Sequence, residues 1–538
     1  MTDSRRRWLS LVFISVAVSL IIVDSTIVNV AVPSIVEELD VSSTQVQWIQ
    51  ESYTLVFASL LLFFGTLADR VGRRRLLLVG VVLFALSSVF AAIASTTGIL
   101  ILARLVQGIG GAMILPTTLS IINATFQGRE RSIAFAVWGS TIGGMAAVGP
   151  LLGGWLTTAF SWRGAFGINI PFGILIIIGV LLTVRGTQEK STRSLDGIGA
   201  VISVVLFATL VFGLIEGRTL GWWTTDGTVA FGSFTWPWAL SPVPVAFAVT
   251  VMALIAFILW GRHRIRAGKA ALLEFSLFGI ASFRNGNLVA LVVSLGEFGI
   301  ILSLPLYLQF VLGFDALQTG LVLLALAVGS FFASGIAAAL GNKVSAVWIV
   351  RTGLIAEIVG IAVAAFVIRP DGGWGWLLPA LFVYGFGVGL ATAQLTGVVL
   401  QDVPVRLSGQ GSGAQSTSRQ VGSALGIAIL GTVLYTSTAG LLASSLDDRG
   451  ITGEANDKIV SAVIDSSGAA IAGLADSPQT ADAADAAKQA FTDGTRNAAL
   501  TAAGFLTLGL FATGSLGRGR GSDADEPKSS ESGAVARG

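Results

Sequence analysis

The chain has 538 residues, of which 53% are hydrophobic and 12% are charged, and its mean hydropathy is +0.81. A soluble globular protein cannot bury so large an apolar fraction, so the composition indicates a membrane protein. The 33 basic and 31 acidic residues nearly balance, which excludes a broad basic surface for nucleic acid. With no cysteine and a single histidine, His263, the sequence excludes disulfides, thiol nucleophiles and a metal centre built from these ligands.

Fourteen segments are apolar enough to cross a bilayer as helices, which takes about 20 apolar residues each. The first begins at Trp8 and is too long for the core of a signal peptide, so we expect it to remain as a helix. The sequence therefore predicts an all-α polytopic membrane protein. The predicted spans cover residues 8–32, 46–68, 76–95, 98–125, 131–158, 164–184, 194–216, 238–260, 287–312, 318–340, 345–368, 374–400, 412–440 and 497–516.

Basic residues concentrate in the loops on one side of these spans. The positive-inside rule assigns those loops and both termini to the cytoplasm, so we expect a multi-pass protein of the inner (plasma) membrane. The excess of arginine over lysine is typical of a GC-rich bacterial source. Segment 441–496 is expected to form an external loop with some amphipathic helix, and 517–538 a disordered cytoplasmic tail. The basic clusters are Arg5–Arg7, Arg70–Arg75, Arg129 with Arg131, and the stretches 185–193 and 262–284.

The loop after the second span carries the most specific motif, Gly65-Thr-Leu-Ala-Asp69-Arg70-Val-Gly72-Arg73-Arg74-Arg75. Its glycines permit a tight reversal between helices, and Asp69 can cap a helix start and pair with the arginines during a conformational change. The alternative is a basic loop that only sets the topology. The full spacing resembles the loop signature of the major facilitator superfamily, and this resemblance implies a cytoplasmic latch.

Three further motifs lie in spans 1, 4 and 5: Asp24-Ser-Thr-Ile-Val-Asn29-Val-Ala-Val-Pro33, Arg104-Leu-Val-Gln107-Gly108-Ile-Gly110-Gly111 and Gly149-Pro150-Leu-Leu-Gly153-Gly154. Together with fourteen spans they resemble the fourteen-helix drug:proton antiporter family, and the resemblance covers essentially the whole chain. In that family the Gly-Pro motif of span 5 marks exporters; its small residues permit close helix approach, and plain helix packing is the alternative.

The resemblance also implies the major facilitator fold, in which two six-helix bundles rock around a central site. Spans 1 to 6 and 9 to 14 would form the bundles, with spans 7 and 8 as an inserted pair. The expected divisions are 1–190 for the first bundle, 191–270 for the inserted helices, 271–516 for the second bundle and 517–538 for the tail. The second-half turn, Gly335-Ile-Ala-Ala-Ala-Leu-Gly341-Asn-Lys343, keeps the glycines but lacks the acid and the arginine run.

Ionisable residues within the spans are functional candidates, because each costs about 2.5–3.5 kcal/mol at mid-bilayer. A helical rise of about 1.5 Å per residue places Asp24, Glu51 and Arg104 in one layer of the first bundle. We hypothesise that Asp24 and Arg104 interact and that Asp24 or Glu51 carries a coupled proton. Desolvation raises the pKa of a carboxyl group and a nearby cation lowers it, so a movement of water or of the arginine can load and release a proton. A static buried pair that orients helices is the alternative.

Four further residues are candidates for contact with the substrate or with protons: Glu297, Glu357, Arg419 and Gln107. The three charged ones lie in predicted spans, where structural pairing with another helix is the alternative. Gln107 belongs to the span-4 motif.

Together these features predict proton-coupled efflux of small hydrophobic or cationic compounds, such as drugs, antibiotics and antiseptics, by alternating access. A dedicated exporter of one endogenous lipid, siderophore or metabolite remains the alternative, because the motifs specify no cargo. The sequence lacks the nucleophile and metal-ligand sets of an enzyme, which disfavours catalysis. It also contains no Gly-x-x-x-x-Gly-Lys-Ser/Thr loop, which disfavours an ATP-driven pump. We expect no cofactor. The expected partners are the substrate, protons and membrane lipids, and we expect no nucleic acid. The protein is expected to work as a monomer.

Overall fold

The computed structural model describes residues 3–39, 43–186, 196–217, 220–225, 229–231, 234–340 and 344–516. Seven helices form its N-terminal bundle. Thr96 and Ser161 cap two of them by accepting the backbone N–H of Ile99 and Arg163, and Gly72, with φ of 100°, makes the turn between the second and third. The helices are α1 (Asp3–Leu39), α2 (Ser43–Val71), α3 (Arg73–Ala92), α4 (Thr97–Thr125), α5 (Gly128–Ala159), α6 (Trp162–Gly167) and α7 (Asn169–Thr183).

Two helices, α8 (Gly197–Glu216) and α9 (Pro242–Arg266), follow as an antiparallel pair, and a short hairpin of β1 (Ala230–Phe231) and β2 (Phe234–Thr235) lies between them. Asp196 caps α8 by accepting the Gly199 N–H at 2.9 Å. The same carboxylate accepts Trp260 Nε1 at 2.9 Å and the Leu272 N–H at 3.0 Å. Asp196 therefore fastens the pair to the segment that leads into the next bundle.

The C-terminal bundle contains the remaining helices, and glycines bring two of them close together. A side-chain carbon added at Gly353 of α12 would lie 2.7 Å from Ala391 N of α13, and one added at Gly360 would lie 2.5 Å from Tyr384 N of the same helix. The two halves meet where α2 packs on α14 and α5 packs on α11. The helices are α10 (Ala281–Leu306), α11 (Ala316–Leu340), α12 (Ala346–Val367), α13 (Leu377–Leu400), α14 (Ser408–Asp448), α15 (Glu454–Asp465), α16 (Ala470–Ala475) and α17 (Ala481–Ala512).

Twelve helical stretches of the described residues are long and apolar enough to cross a membrane. The other two predicted spans, 131–158 and 287–312, coincide with α5 and α10, which have 32 and 26 residues. The sixth span consists of α6 and α7, which are separated at Ile168. The predicted all-α polytopic membrane fold is confirmed.

Segment 441–496 is more helical than we expected. α14 continues to Asp448 and α17 begins at Ala481, so both helices extend past the predicted span ends at 440 and 497. α15 and α16 connect them, and Val463, Ile471 and Phe491 are buried in one apolar cluster. Regularly spaced alanines on α17 supply the apolar face that this packing needs. The predicted tail, 517–538, and Lys343 of the second-half turn lie outside the described residues.

Candidate functional site

A buried ion pair joins α1 and α4 inside the N-terminal bundle. Arg104 Nη1 donates to Asp24 Oδ2 at 2.6 Å, and their side chains are 2% and 0% exposed. Gln107 Nε2 and Asn169 Nδ2 donate to Asp24 Oδ1 at 2.7 and 2.6 Å. Asp24 thus accepts three hydrogen bonds, which matches an ionised carboxylate because a protonated acid would have to donate from one oxygen. The predicted contact between Asp24 and Arg104 is present.

Two residues that the sequence analysis did not select complete this arrangement. Ser88 on α3 accepts from Gln107 Nε2 at 2.9 Å and from Asn169 Nδ2 at 3.1 Å. Neutral Ser and Asn in apolar helices carry no charge signal; the one hint was the position of Asn169 at the start of α7, after a break in the sixth span. We refer to Asp24, Ser88, Arg104, Gln107 and Asn169 as the N-terminal cluster.

Helix α2 contacts this cluster through Arg104. The guanidinium donates from Nε to the carbonyl of Ile49 at 3.2 Å and lies 4.4 Å from the ring centre of Tyr53. Glu51, which we placed in the same layer, is instead hydrogen bonded to Glu216 of α8. Residues two positions apart on a helix point in nearly opposite directions, so Glu51 faces away from the side that reaches α4. Its role in proton coupling stays a prediction.

The span-5 glycines bring α5 against α1 beside the N-terminal cluster. A side-chain carbon added at Gly149 would overlap Thr26, and one added at Gly153 would lie 2.9 Å from Ile27 Cγ1. Both contacts fall on the α1 turn that follows the acid of the cluster, so the small residues set the distance between the two helices there. The other motif residues are Gly154, which is partly buried, and Pro150, whose side chain lies outside the described part. The exporter role of the motif stays a prediction.

The loop motif connects the two halves on the predicted cytoplasmic side. Asp69 accepts the Gly409 N–H at 2.8 and 2.9 Å and the Gln410 N–H at 3.1 Å, at the start of α14. Arg73 Nη2 donates to Asp69 Oδ1 at 3.0 Å and to the Val405 carbonyl at 2.6 Å. A carboxylate is favoured at a helix start by the unpaired amides and by the helix dipole. Asp69 therefore caps a helix of the opposite half.

Further contacts hold the halves together at the same level. A side-chain carbon added at Gly65 would lie 2.6 Å from Gly413 Cα, and Asn123 Nδ2 donates to Ser408 Oγ at 2.9 Å. The conformation is thus closed between α2, α4 and α14 on the predicted cytoplasmic side. The remaining motif residues are Arg70, in the last turn of α2, and Gly72, in the turn to α3.

A second buried group of charges lies in the C-terminal bundle. Arg419 Nη2 on α14 and Glu297 Oε2 on α10 are 3.3 Å apart, with side chains 14% and 4% exposed. Thr392 Oγ1 donates to Glu297 Oε1 at 2.8 Å, and the Tyr384 hydroxyl donates to the Glu297 backbone carbonyl at 3.1 Å. Glu357 on α12 is 0% exposed, and neither of its carboxyl oxygens has a hydrogen-bond partner among the described residues. We refer to Glu297, Glu357 and Arg419 as the C-terminal cluster.

Other arginines of this bundle serve helix packing. Arg351 donates to the side chain and carbonyl of Thr513 at 3.0 and 3.2 Å, and Arg496 donates to the carbonyls of Ala365 and Ile368 at 3.0 and 3.2 Å. In the described ranges, no three or more His, Asp or Glu side chains are grouped so as to hold a metal ion.

Two helical halves, closed against each other on one side and each containing a buried charge cluster, define a multi-pass membrane protein built from two bundles. The sequence pattern of the Major Facilitator Superfamily matches residues 14–427. The chain belongs to this superfamily of transporters.

Several relatives are named for antibiotics or drugs. The chain is 32% identical to a probable actinorhodin transporter of Streptomyces coelicolor, over 82% of this chain and 75% of that protein. It is 33% identical to a puromycin resistance protein of Streptomyces alboniger, over 81% and 84%, and 30% identical to the multidrug efflux pump LfrA of Mycolicibacterium smegmatis, over 93% and 94%. The human organic anion transporter MFSD10 shares the fold with a TM-score of 0.60 at 14% identity, over 95% of this chain and all of that one.

Proposed function

We propose that this protein exports small hydrophobic or cationic compounds, including drugs and antibiotics, across a bacterial plasma membrane in exchange for protons. The relatives named for antibiotic transport, antibiotic resistance and multidrug efflux support the class of cargo. The observation that carries the proton-coupled part is the N-terminal cluster, where one buried carboxylate is held by donors from two other helices.

Protonation of Asp24 would change the hydrogen bonding of the whole cluster. Arg104, Gln107 and Asn169 all present N–H donors to the carboxylate, so an added proton would face donors unless an amide group turned its oxygen toward it. Proton binding would therefore weaken the contact with Arg104 and allow α1, α4 and α7 to rearrange. A buried acid whose partner can move is able to load and release a proton in this way.

Helix α2 would transmit this change to the latch. Its outer end contacts Arg104 through Ile49 and Tyr53, and its other end carries Asp69, about 30 Å away at about 1.5 Å per residue. Release of the guanidinium at one end would thus alter the helix whose opposite end caps α14. The positive-inside distribution supports a cytoplasmic location for this latch and for both termini.

In the proposed cycle, the described conformation is the state in which the latch is closed. With the cytoplasmic side closed, the ionised Asp24 would accept a proton that arrives from outside. The fourteen-helix arrangement of six, two and six spans is part of the proposal, supported by helices at each of the predicted positions.

A dedicated exporter of one endogenous compound is the second candidate. The observation that favours it is that two of the relatives are named for single compounds, actinorhodin and puromycin. The same proton chemistry would serve either cargo.

Drug susceptibility of a host that lacks its own pumps tests the proposal. Cells expressing the wild-type protein should tolerate several-fold more of at least one antibiotic than cells with the empty vector, and a protonophore should abolish the accumulation difference. Asp24→Asn, expressed to the same level in the membrane, should give no protection. Protection against several unrelated compounds would support broad specificity, and protection against one would support the dedicated exporter. Wild-type cells as sensitive as the vector control to every compound would refute drug export.

A further inference from the structure

The C-terminal cluster contains two carboxyl groups and one cation. Arg419 is paired with Glu297, which also accepts from Thr392. Glu357 has no exposed surface and no hydrogen-bond partner for either carboxyl oxygen among the described residues. An ionised carboxylate in this position would be an unmatched buried charge, which the membrane interior strongly disfavours.

The surroundings of Glu357 supply no second cation among the described residues. Arg419 and Glu297 act on Glu357 electrostatically with opposite signs, so the pair they form offers little net charge to the second acid. Tyr384, on the neighbouring α13, already donates its hydroxyl proton to the Glu297 carbonyl. The other basic groups on α12 and on α17, which packs against it, are engaged elsewhere: Arg351 with Thr513, and Arg496 with the carbonyls of Ala365 and Ile368.

Helix packing holds the acid in this position. A side-chain carbon added at Gly387 of α13 would lie 2.7 Å from Glu357 Cγ, so the absence of a side chain there makes room for the acid between α12 and α13. Hydrogen-bonded polar side chains then extend from the cluster toward the predicted cytoplasmic side. Thr396 Oγ1 donates to the Thr392 carbonyl at 2.9 Å, and Gln415 Nε2 donates to Thr396 Oγ1 at 3.2 Å. Hydroxyl and amide groups of this kind can hydrogen bond to water molecules.

We propose that Glu357 carries a proton on its carboxyl group in this conformation, and that the C-terminal cluster is a second proton-binding site separate from Asp24. The ligand is a proton, and its release requires a movement that brings Arg419 or water to the Glu357 carboxyl. If the protein exchanges cargo for protons, each half would contribute one proton to the cycle; this last step rests on the proposed function.

Infrared spectroscopy of the purified full-length protein in detergent near pH 7 tests the site without any transport. The wild type should show the carbonyl stretch of a protonated carboxylic acid, to which the hydrogen-bonded pair Glu51 and Glu216 also contributes, and Glu357→Gln should remove the share that belongs to Glu357. Glu130→Gln is the matched control, because Glu130 is a surface acid paired with Arg7 at 3.0 Å, and it should leave the band unchanged. Arg419→Gln should increase the band by about as much as Glu357→Gln removes, because both Glu297 and Glu357 would then lack a cation.

Stability provides an independent readout. Glutamine has nearly the shape of a protonated glutamate, so Glu357→Gln should keep the wild-type melting temperature, whereas Glu297→Gln should lower it by depriving Arg419 of its partner. Identical infrared spectra of wild type and Glu357→Gln would overturn the proposal. So would a Glu357→Gln protein that does not fold, because the proposal makes it a mimic of the protonated state.

Proton counting in proteoliposomes tests the coupling. Glu357→Gln should exchange about half as many protons per cargo molecule as the wild type. Antiport with unchanged stoichiometry would refute the second coupled proton. An infrared band that depends on Glu357, found together with no proton exchange at all, would refute the proposed function and leave the proton site intact.

Discussion

The two bundles handle buried charge differently. In the N-terminal cluster one acid meets one cation, and two amide groups complete its hydrogen bonds. In the C-terminal cluster two acids share one cation, and the second acid, Glu357, has no donor among the described residues. The charges of the N-terminal cluster therefore cancel when Asp24 is ionised. The charges of the C-terminal cluster cancel only when one of its two acids carries a proton.

This difference shows that a buried acid cannot be assigned a protonation state from its depth alone. Asp24 and Glu357 are both 0% exposed, and the number of cations and donors within reach separates them. A balanced cluster acquires a proton only if its contacts break, while an unbalanced cluster loses its proton only if new contacts form. The two sites would thus respond oppositely to the same rearrangement of the helices.

The largest expected effect comes from Asp24→Asn. The substitution leaves Arg104 buried without its carboxylate, so we expect a loss of about 3–5 kcal/mol of stability together with loss of export. Thermal unfolding of the purified protein and cargo uptake into everted vesicles measure the two effects. Glu357→Gln, which we expect to be neutral in stability, is the matched control from the other bundle. Wild-type stability in Asp24→Asn would mean that the two clusters do not differ as described.

A smaller effect is expected from Gly149→Ala, which tests the packing that supports the N-terminal cluster. The added methyl group would overlap Thr26 and separate α5 from α1, at a cost of about 1–3 kcal/mol. Gly144→Ala on the same helix has open space around it and should be neutral or slightly stabilising. Melting temperatures of the two variants provide the comparison, and equal values would show that the close approach is unimportant.

Asp69→Asn should shift the conformational equilibrium rather than unfold the protein. The substitution removes the charge that pairs with Arg73 and caps α14, so we expect the closed state to lose about tenfold in population, as ~1.4 kcal/mol would produce. The chain has no cysteine, so a single Ser408→Cys at the closed contact reports opening through its rate of maleimide labelling.

The control for this shift is Asp315→Asn, which changes an acid at the other end of the C-terminal bundle. It should leave labelling of Ser408→Cys unchanged. Labelling that is equally slow in Asp69→Asn and in the parent protein would contradict the latch.

The smallest effect concerns Glu38, an acid outside both clusters. Hydrogen bonds from Arg163 and from Trp162, the latter at 2.6 Å, lower the pKa of Glu38 below its usual value. A lowered pKa means that this carboxylate stabilises the fold above the usual glutamate range and loses that contribution as the pH falls through the lowered pKa of the folded state. Melting temperatures of wild type and Glu38→Gln should therefore differ slightly at pH 7 and converge in acid. A difference in melting temperature that does not change with pH would contradict the lowered pKa of Glu38.

The sequence predicted the membrane helices and the Asp24–Arg104 contact because hydropathy and the cost of buried charge act locally along the chain. It predicted that Asp69 can cap a helix, but not which one, because its partners at Gly409 and Gln410 are 340 and 341 positions away. Depth along a helix follows from residue spacing, whereas the direction of a side chain depends on the packing of neighbours, and this is why Glu51 was placed with Asp24 instead of Glu216.

Neutral partners were the main omission. Ser88 and Asn169 complete the N-terminal cluster, yet a serine or an asparagine in an apolar helix is common and indicates no site by itself. The extensions of α14 and α17 were missed because serine, aspartate and lysine residues interrupt their apolar pattern, although the alanines of α17 pack well between helices.

Proton movement in everted membrane vesicles with an acidic interior tests the central claim most directly. A dye that reports the internal pH should show proton release when a cationic drug such as ethidium is added to vesicles containing the wild-type protein. Vesicles containing equal amounts of Asp24→Asn should show no drug-dependent release. Release of the same size in both vesicles would contradict the assigned role of Asp24, and its absence from wild-type vesicles, with drug uptake intact, would contradict proton coupling.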